Sequence, residues 1–271
     1  MSLPEQQSSE PITVSRLVAD LRMLGVQAGD TLLLHSSLSA LGWVCGGGVA
    51  VIEALQTVLT PAGTLMMPAH SGDLSDPAQW ENPPVPAAWW PIIRQEMPAY
   101  RPDLTPTLGI GVIPELFRAQ RGVRRSAHPS GSFCAWGRQA EAMTAEHALD
   151  NCFGEGSPLA RLYDLGGHVL QLGVSHDSNT SLHLAEVRAG RCQPKSAAAP
   201  LWRDGQRVWQ SYADLDYDNG DFEAVGQAFE AACPELLRQG QVGQAQCRYY
   251  PQRPLVDFAT RWFASALQQA P

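Results

Sequence analysis

Apolar positions along the chain fall into two kinds of run. Short uninterrupted ones, "DTLLLHSS" from Asp30, "GTLMMPAH" from Gly63 and "HVLQLGV" from His168, have the length and continuity of strands buried on both faces. Others repeat at helical spacing. "TVSRLVADLRMLGV" carries Val14, Leu17, Leu21 and Leu24 on one face, with Thr13 or Ser15 placed to cap it. "CGGGVAVIEALQTVL" reads as a glycine-rich turn feeding a helix that Pro61 and Gly63 end. "GIGVIPELFRAQ" and "SPLARLYDLGG" read as helices, "GSFCAWG" as a strand and "PLVDFATRWFASALQQ" as a closing amphipathic helix. Repeated strand–loop–helix units predict an α/β fold, with a mostly parallel central sheet flanked by helices. Residues 191–250 alternate less clearly and are expected to form a smaller mixed α/β insertion beside the substrate cleft. Residues 1–11 read as a flexible tail, and 12–271 as a single domain.

Composition narrows the class. With 271 residues, 44% of them hydrophobic, the chain can bury a substantial core. It has no apolar run long enough for a membrane span. Its start, "MSLPEQQSSE", lacks the basic and then apolar profile of a signal peptide. Six scattered cysteines without a CxxC pair read as reduced thiols of a cytoplasmic protein. A net charge of -8 argues against nucleic acid as a partner and suits a cationic substrate or none in particular, since solubility alone explains many acidic proteins.

The stretch "NTSLHLAE" follows the strand "HVLQLGV" and sets Thr180, His183 and Glu186 at steps of three. On a helix these share one face, about 5–6 Å apart at Cβ. A carboxylate beside an imidazole fixes its tautomer and stabilises its charged form, which prepares the other nitrogen as a general base. The pattern is equally that of a solvated His–Glu pair on a surface helix. Its position after a strand brings the two readings level, because open α/β sheets bind ligands beyond the carboxyl ends of their strands.

Other constellations are open in the same way. In "HSSLSALGWVCGGG", small residues and glycines lead into a helix, which could cradle a phosphate or serve as a plain turn. It matches neither GxxxxGK[ST] nor GxGxxG. "GEGSPLARL" offers a second small-residue helix start. Residues 71–86 are rich in proline, aspartate and tryptophan. His70, Asp73 and Asp76 could bind a metal, while Asp73, Asp76 and Trp80 could receive an amine. Asp-Pro and Asn-Pro-Pro also occur as ordinary turns. His128 in "RRSAHPSGSF" could reach a site or pin its loop.

"LLLHSSLSALGWVCGG", "RRSAHPSGSF", "GEGSP", "GGHVLQLGV" and "NTSLHLAE" occur in the order and spacing of the aminoglycoside 3-N-acetyltransferases, a family distinct from the GNAT acetyltransferases. "CRYYPQRPLVDFATRWF" is similar to that family's closing segment, so the resemblance runs from about residue 14 to 268. It implies transfer of acetyl from acetyl-coenzyme A to an amine of a 2-deoxystreptamine antibiotic, conferring resistance, without a metal. The TxxHxAE signature maps onto Thr180, His183 and Glu186 as catalytic residues. The coenzyme A segment maps onto His35, Ser36, Ser37, Leu38 and Gly42, with Ser157 and Thr180 nearby. His128 and Ser132 fall at the pocket wall. Asp73, Asp76, Trp80, His128, Asp177 and Asp218 are expected on the acceptor side, with Asp216 and Asp221 as further candidates.

Three other readings compete. One keeps the coenzyme A chemistry and changes the acceptor to a non-antibiotic amine. Another is a metal-dependent hydrolase using His70, Asp73, His176, Asp177 and His183, although no HExxH or comparable ligand spacing is present. The last is a protein that binds these ligands without turnover, against which the intact His183–Glu186 pair argues.

Overall fold

The computed structural model describes residues 10–269; most of the expected tail, residues 1–9, lies outside the described residues. Among those described, seven strands form one sheet. The strands are β1 (Thr31–Ser36), β2 (Thr64–Pro68), β3 (Arg124–Arg125), β4 (Phe133–Gly137), β5 (His168–Leu172), β8 (Arg238–Val242) and β9 (Ala245–Pro251), in the order β3-β4-β2-β1-β5-β9-β8. β6 (Gln193–Arg203) and β7 (Gln206–Asp216) pair with each other as a separate antiparallel ribbon.

The sheet is mixed rather than mostly parallel. β1 runs parallel to β2 and β5, which makes the centre parallel. The outer pairings, β2–β4, β3–β4, β5–β9 and β8–β9, are antiparallel. A buried apolar run does not encode direction, so β4 and β9 look the same in sequence whichever way they pair.

Alternation along these strands feeds two cores. Leu32, Leu34, Leu65, Met67 and Leu170 point to one face, under α1 (Val14–Leu24), α2 (Gly47–Leu59) and α4 (Val112–Arg118). Leu33, Met66, Phe133 and Val169 point to the other, under α6 (Pro158–Asp164), α7 (Ser181–Arg188), α8 (Phe222–Ala232) and α9 (Gln252–Gln269). The result is a helix–sheet–helix sandwich. The expected helices all form, with Thr13 capping α1 by accepting from Arg16 N and left-handed Gly25 ending it. Three helices absent from the pattern reading, α3 (Trp90–Glu96), α5 (Ala140–Thr144) and α8, complete the set among the described residues.

The parallel centre aims three strand ends at one edge. There the backbone N–H of Ser37 donates to Leu172 O at 2.9 Å, tying the segment after β1 to the end of β5. Gly173 follows with φ 71°, and a Cβ on it would lie 2.5 Å from that of Ala40, so only glycine permits this approach.

Candidate active site

A cleft of about 950 Å³ opens at this edge. His35, Ser36, Ser37, Leu38 and Gly42 line it from β1 and the following turn; Asp177, Thr180 and His183 line it from the segment after β5 and from α7. His70, beyond β2, and residues 109–114 close it on the other side.

A buried polar network holds the segment that delivers Asp177, Thr180 and His183. Tyr250 Oη donates to Gln171 Oε1 at 2.9 Å and accepts from Asn179 Nδ2 at 3.0 Å. Asn179 Oδ1 in turn accepts from Ser181 N at 3.1 Å, supplying the helix-start contact that Thr180 does not make. The Thr180 hydroxyl is left to the cleft side, 3.4 Å from His35 Nε2.

His183 is fixed from several directions. Its Nδ1 lies 2.7 Å from Glu186 Oε2, and the carboxylate's residue is only 1% exposed. Phe153 stacks on the ring at 4.8 Å and 11°. Phe222 and Tyr217 meet it edge-on at 4.7 and 5.4 Å. With Nδ1 engaged by the carboxylate, Nε2 is the nitrogen available for proton exchange.

Two further histidines face the cleft as neutral rings. Burial, helped by the charge of His183, pulls His35 and His70 down to about 3. His70 Nε2 and Ser36 Oγ are buried and find no hydrogen-bond partner among the described residues. Such groups cost about 1–3 kcal/mol when unsatisfied, and both line this one cleft.

Several residues expected at the site are engaged elsewhere. Ser157 is fully buried and caps α6, accepting from Ala160 N. A serine ahead of Pro158 is an ordinary helix start, and it serves as one in this fold. His128 is also fully buried: Gly131 N donates to its Nδ1 at 2.9 Å and Nε2 lies 3.2 Å from Leu149 O. It pins its loop. Its neighbours Cys152 and Asp214 come within 4.8 Å of it, but both His128 nitrogens already have partners and burial raises the Cys152 thiol well above its usual range. Ser132 Oγ donates to Ala69 O at 2.7 Å.

Asp76 caps the turn 77–79 and pairs with Arg94 at 2.7 Å, while Trp80 Nε1 donates to Ser75 Oγ. Asp218 accepts from Gly220 N and lies 3.5 Å from Arg191. Asp216 pairs with Lys195 and Asp221 with Arg191. Asp73 is exposed and does not line the cleft. Among the described residues, Asp177 is the one carboxylate in the cleft lining. The set considered for a hydrolase does not assemble either, because His176 is buried against Glu230 at 2.8 Å.

Phe153, Tyr217, Phe222 and Arg191 are site residues that the sequence patterns do not single out. Phe153 has a signal, since it directly precedes "GEGSP".

Fold and cleft together are those of an α/β enzyme with a histidine–carboxylate pair at the carboxyl ends of its central strands. A family model described as aminoglycoside 3-N-acetyltransferase matches residues 33–264. The chain belongs to that family. It is 46% identical over 259 residues to the "SPbeta prophage-derived aminoglycoside N(3')-acetyltransferase-like protein YokD" of Bacillus subtilis, covering 95% of this chain and 94% of that protein. The crystal structure of YokD superposes with a TM-score of 0.96 at 45% identity over 98% of both chains. Aminoglycoside N(3)-acetyltransferase VII of Streptomyces paromomycinus is 37% identical, covering 97% and 95%. A structure described as "AAC-IIIb binary with CoASH" matches with a TM-score of 0.84 at 31% identity, covering 95% and 98%. No helix among the described residues is long and apolar enough to cross a membrane.

Proposed function

We propose that the protein, with residues 12–271 as one catalytic domain, transfers acetyl from acetyl-coenzyme A to an amine of a 2-deoxystreptamine aminoglycoside. The observation that carries this reading is the His183–Glu186 pair, 2.7 Å apart, in the cleft of a chain whose relatives are named for that reaction. Coenzyme A is assigned to the side lined by Ser36, Ser37, Leu38 and Gly42. Three features support this: the unpartnered Ser36 hydroxyl, Gly42 at φ 86°, and the uncapped start of α2 beside Gly47. The acceptor is assigned to the side of Asp177, with the β6–β7 ribbon and its acids as an outer wall. Six unpaired cysteines suit a cytoplasmic setting.

An aminoglycoside amine is largely protonated near neutral pH and cannot attack in that form. In this mechanism His183 Nε2 takes the proton, and Glu186 steadies the imidazolium that results. The nitrogen then bonds to the thioester carbonyl carbon. Thr180 Oγ donates to the oxygen that becomes negative, a contribution of about 3–4 kcal/mol in comparable sites. Collapse breaks the C–S bond, the proton held by His183 passes to the departing thiolate, and the second proton that the nitrogen sheds as it becomes an amide is released to water. The neutral state of His35 and His70 keeps extra positive charge away from a cationic acceptor.

One observation favours an acceptor of lower charge: Asp76, Asp216, Asp218 and Asp221 already have cations of this chain beside them. The Lys195–Asp216 pair is exposed and worth about 0–1 kcal/mol, so there an ammonium group can replace the cation. Thiol release from acetyl-coenzyme A, with a panel of aminoglycosides and small monoamines, separates the two acceptor classes. Release with aminoglycosides that disappears in His183→Ala supports the main reading. Release with monoamines alone selects the other, and full turnover by His183→Ala rules out His183 as the base.

A further inference from the structure

Glu186 has a second partner besides His183. Arg191, on the turn after α7, places Nε 3.8 Å from Glu186 Oε1, and its backbone N–H donates to Glu186 O at 3.1 Å. The guanidinium is itself anchored. One arm meets Asp221 at 2.7 Å and Asp218 at 3.5 Å ahead of α8, and its plane covers Phe263 of α9 at 4.8 Å. Three elements therefore hold one cation behind the buried carboxylate of the pair.

A carboxylate 1% exposed, with a neutral imidazole as its sole partner, would pull a proton onto that pair. A base already carrying its proton cannot accept one from an amine. The other groups around His183 do not supply the missing positive charge. His35 and His70 are neutral, Tyr217 is an uncharged phenol, and Asp177 in the cleft is acidic. Cys192, beside Glu186, is a thiol that burial pushes up to about 12.

We propose that Arg191 is a positioning residue for acetyl transfer: it fixes the Glu186 carboxylate and offsets part of its charge, and so weakens the pull of that carboxylate on a proton at His183. The proposal rests on His183 acting as the base. Its test must therefore separate failure of that assignment from failure of the Arg191 role.

Arg191→Met removes the charge and keeps an unbranched apolar side chain beside Phe263. Arg191→Gln serves the same purpose if the methionine variant does not fold. Arg191→Lys keeps the charge. The protonation midpoint of the His183 ring, followed by NMR without substrate, is expected to rise by about one pH unit in Arg191→Met and to stay in place in Arg191→Lys. The acid limb of kcat/KM is expected to rise with it. Above that limb, activity should return to within about three-fold of the unsubstituted protein.

A pH-independent loss of activity with an unmoved ring midpoint would mean that Arg191 only holds structure. A midpoint that falls would overturn the charge argument. If the ring midpoint rises while the activity limb stays, Arg191 tunes the ring but His183 is not the base.

Discussion

Replacing Glu186 by glutamine tests the other half of the same pair and should move the pH profile in the opposite direction. The amide keeps the size of the carboxylate, which is 1% exposed and 2.7 Å from His183 Nδ1, so packing changes little. What disappears is a charged partner for the imidazolium formed when the amine loses its proton. Hydrogen bonds to charged groups contribute about 1.5–3 kcal/mol, which corresponds to about 10- to 150-fold in kcat. The free enzyme also loses the negative charge that favours protonation, so the acid limb of kcat/KM should move down by about one unit. Arg191 keeps its 2.7 Å contact with Asp221, so no cation is stranded. Thiol release with saturating acetyl-coenzyme A, measured from about pH 5.5 to 9, reads both quantities, and thermal melting checks the fold. Unchanged kcat, or a limb that moves upward, would refute the role of Glu186 as the charged partner of the base.

Two further outcomes follow from the histidines and from α6. His35, His70 and His147 titrate near 6.5 in an unfolded chain and, through burial, at about 3 when folded. Between those values the unfolded state binds more protons, so stability must fall as pH falls below about 6.5. At about pH 5.5 the three together should remove on the order of 3–4 kcal/mol, read as a lower urea midpoint; a flat midpoint from neutral pH down would contradict the neutral assignment. Ser157→Ala should cost about 1 kcal/mol of stability as a lost helix cap while leaving the KM for acetyl-coenzyme A unchanged. A raised KM at full stability would return Ser157 to the cofactor.

The apolar runs of β1, β2 and β5 are readable in the sequence because strands covered on both faces need little else than hydrophobic length. The β6–β7 ribbon is not. Its eleven-residue strands carry Lys195, Ser196 and Asp214 among apolar residues and cross no core sheet, so neither clean alternation nor a continuous run marks them. In the cleft, a spacing of three brings His183 and Glu186 together, since helix geometry turns sequence distance into contact, while Thr180, just ahead of the helix, meets His35 instead. Contacts between distant segments leave no such trace. Phe153 and Phe222 reach His183 from loops and helices 30 and 39 positions away, through packing that no local pattern records. Ser157 and Asp76 are ambiguous for the opposite reason: a small polar residue that caps a turn looks the same in sequence as one that meets a ligand.

The stacking of Phe153 on His183 has a consequence for when orientation is achieved. A ring clamped on its face, touched at its edges and tethered at Nδ1 keeps almost none of the torsional freedom of a free side chain. That entropy is surrendered once, during folding, and not again at each turnover. The acceptor must therefore do the moving: its amine has to come to a stationary nitrogen, and an amine presented from the wrong position finds no ring able to swing toward it.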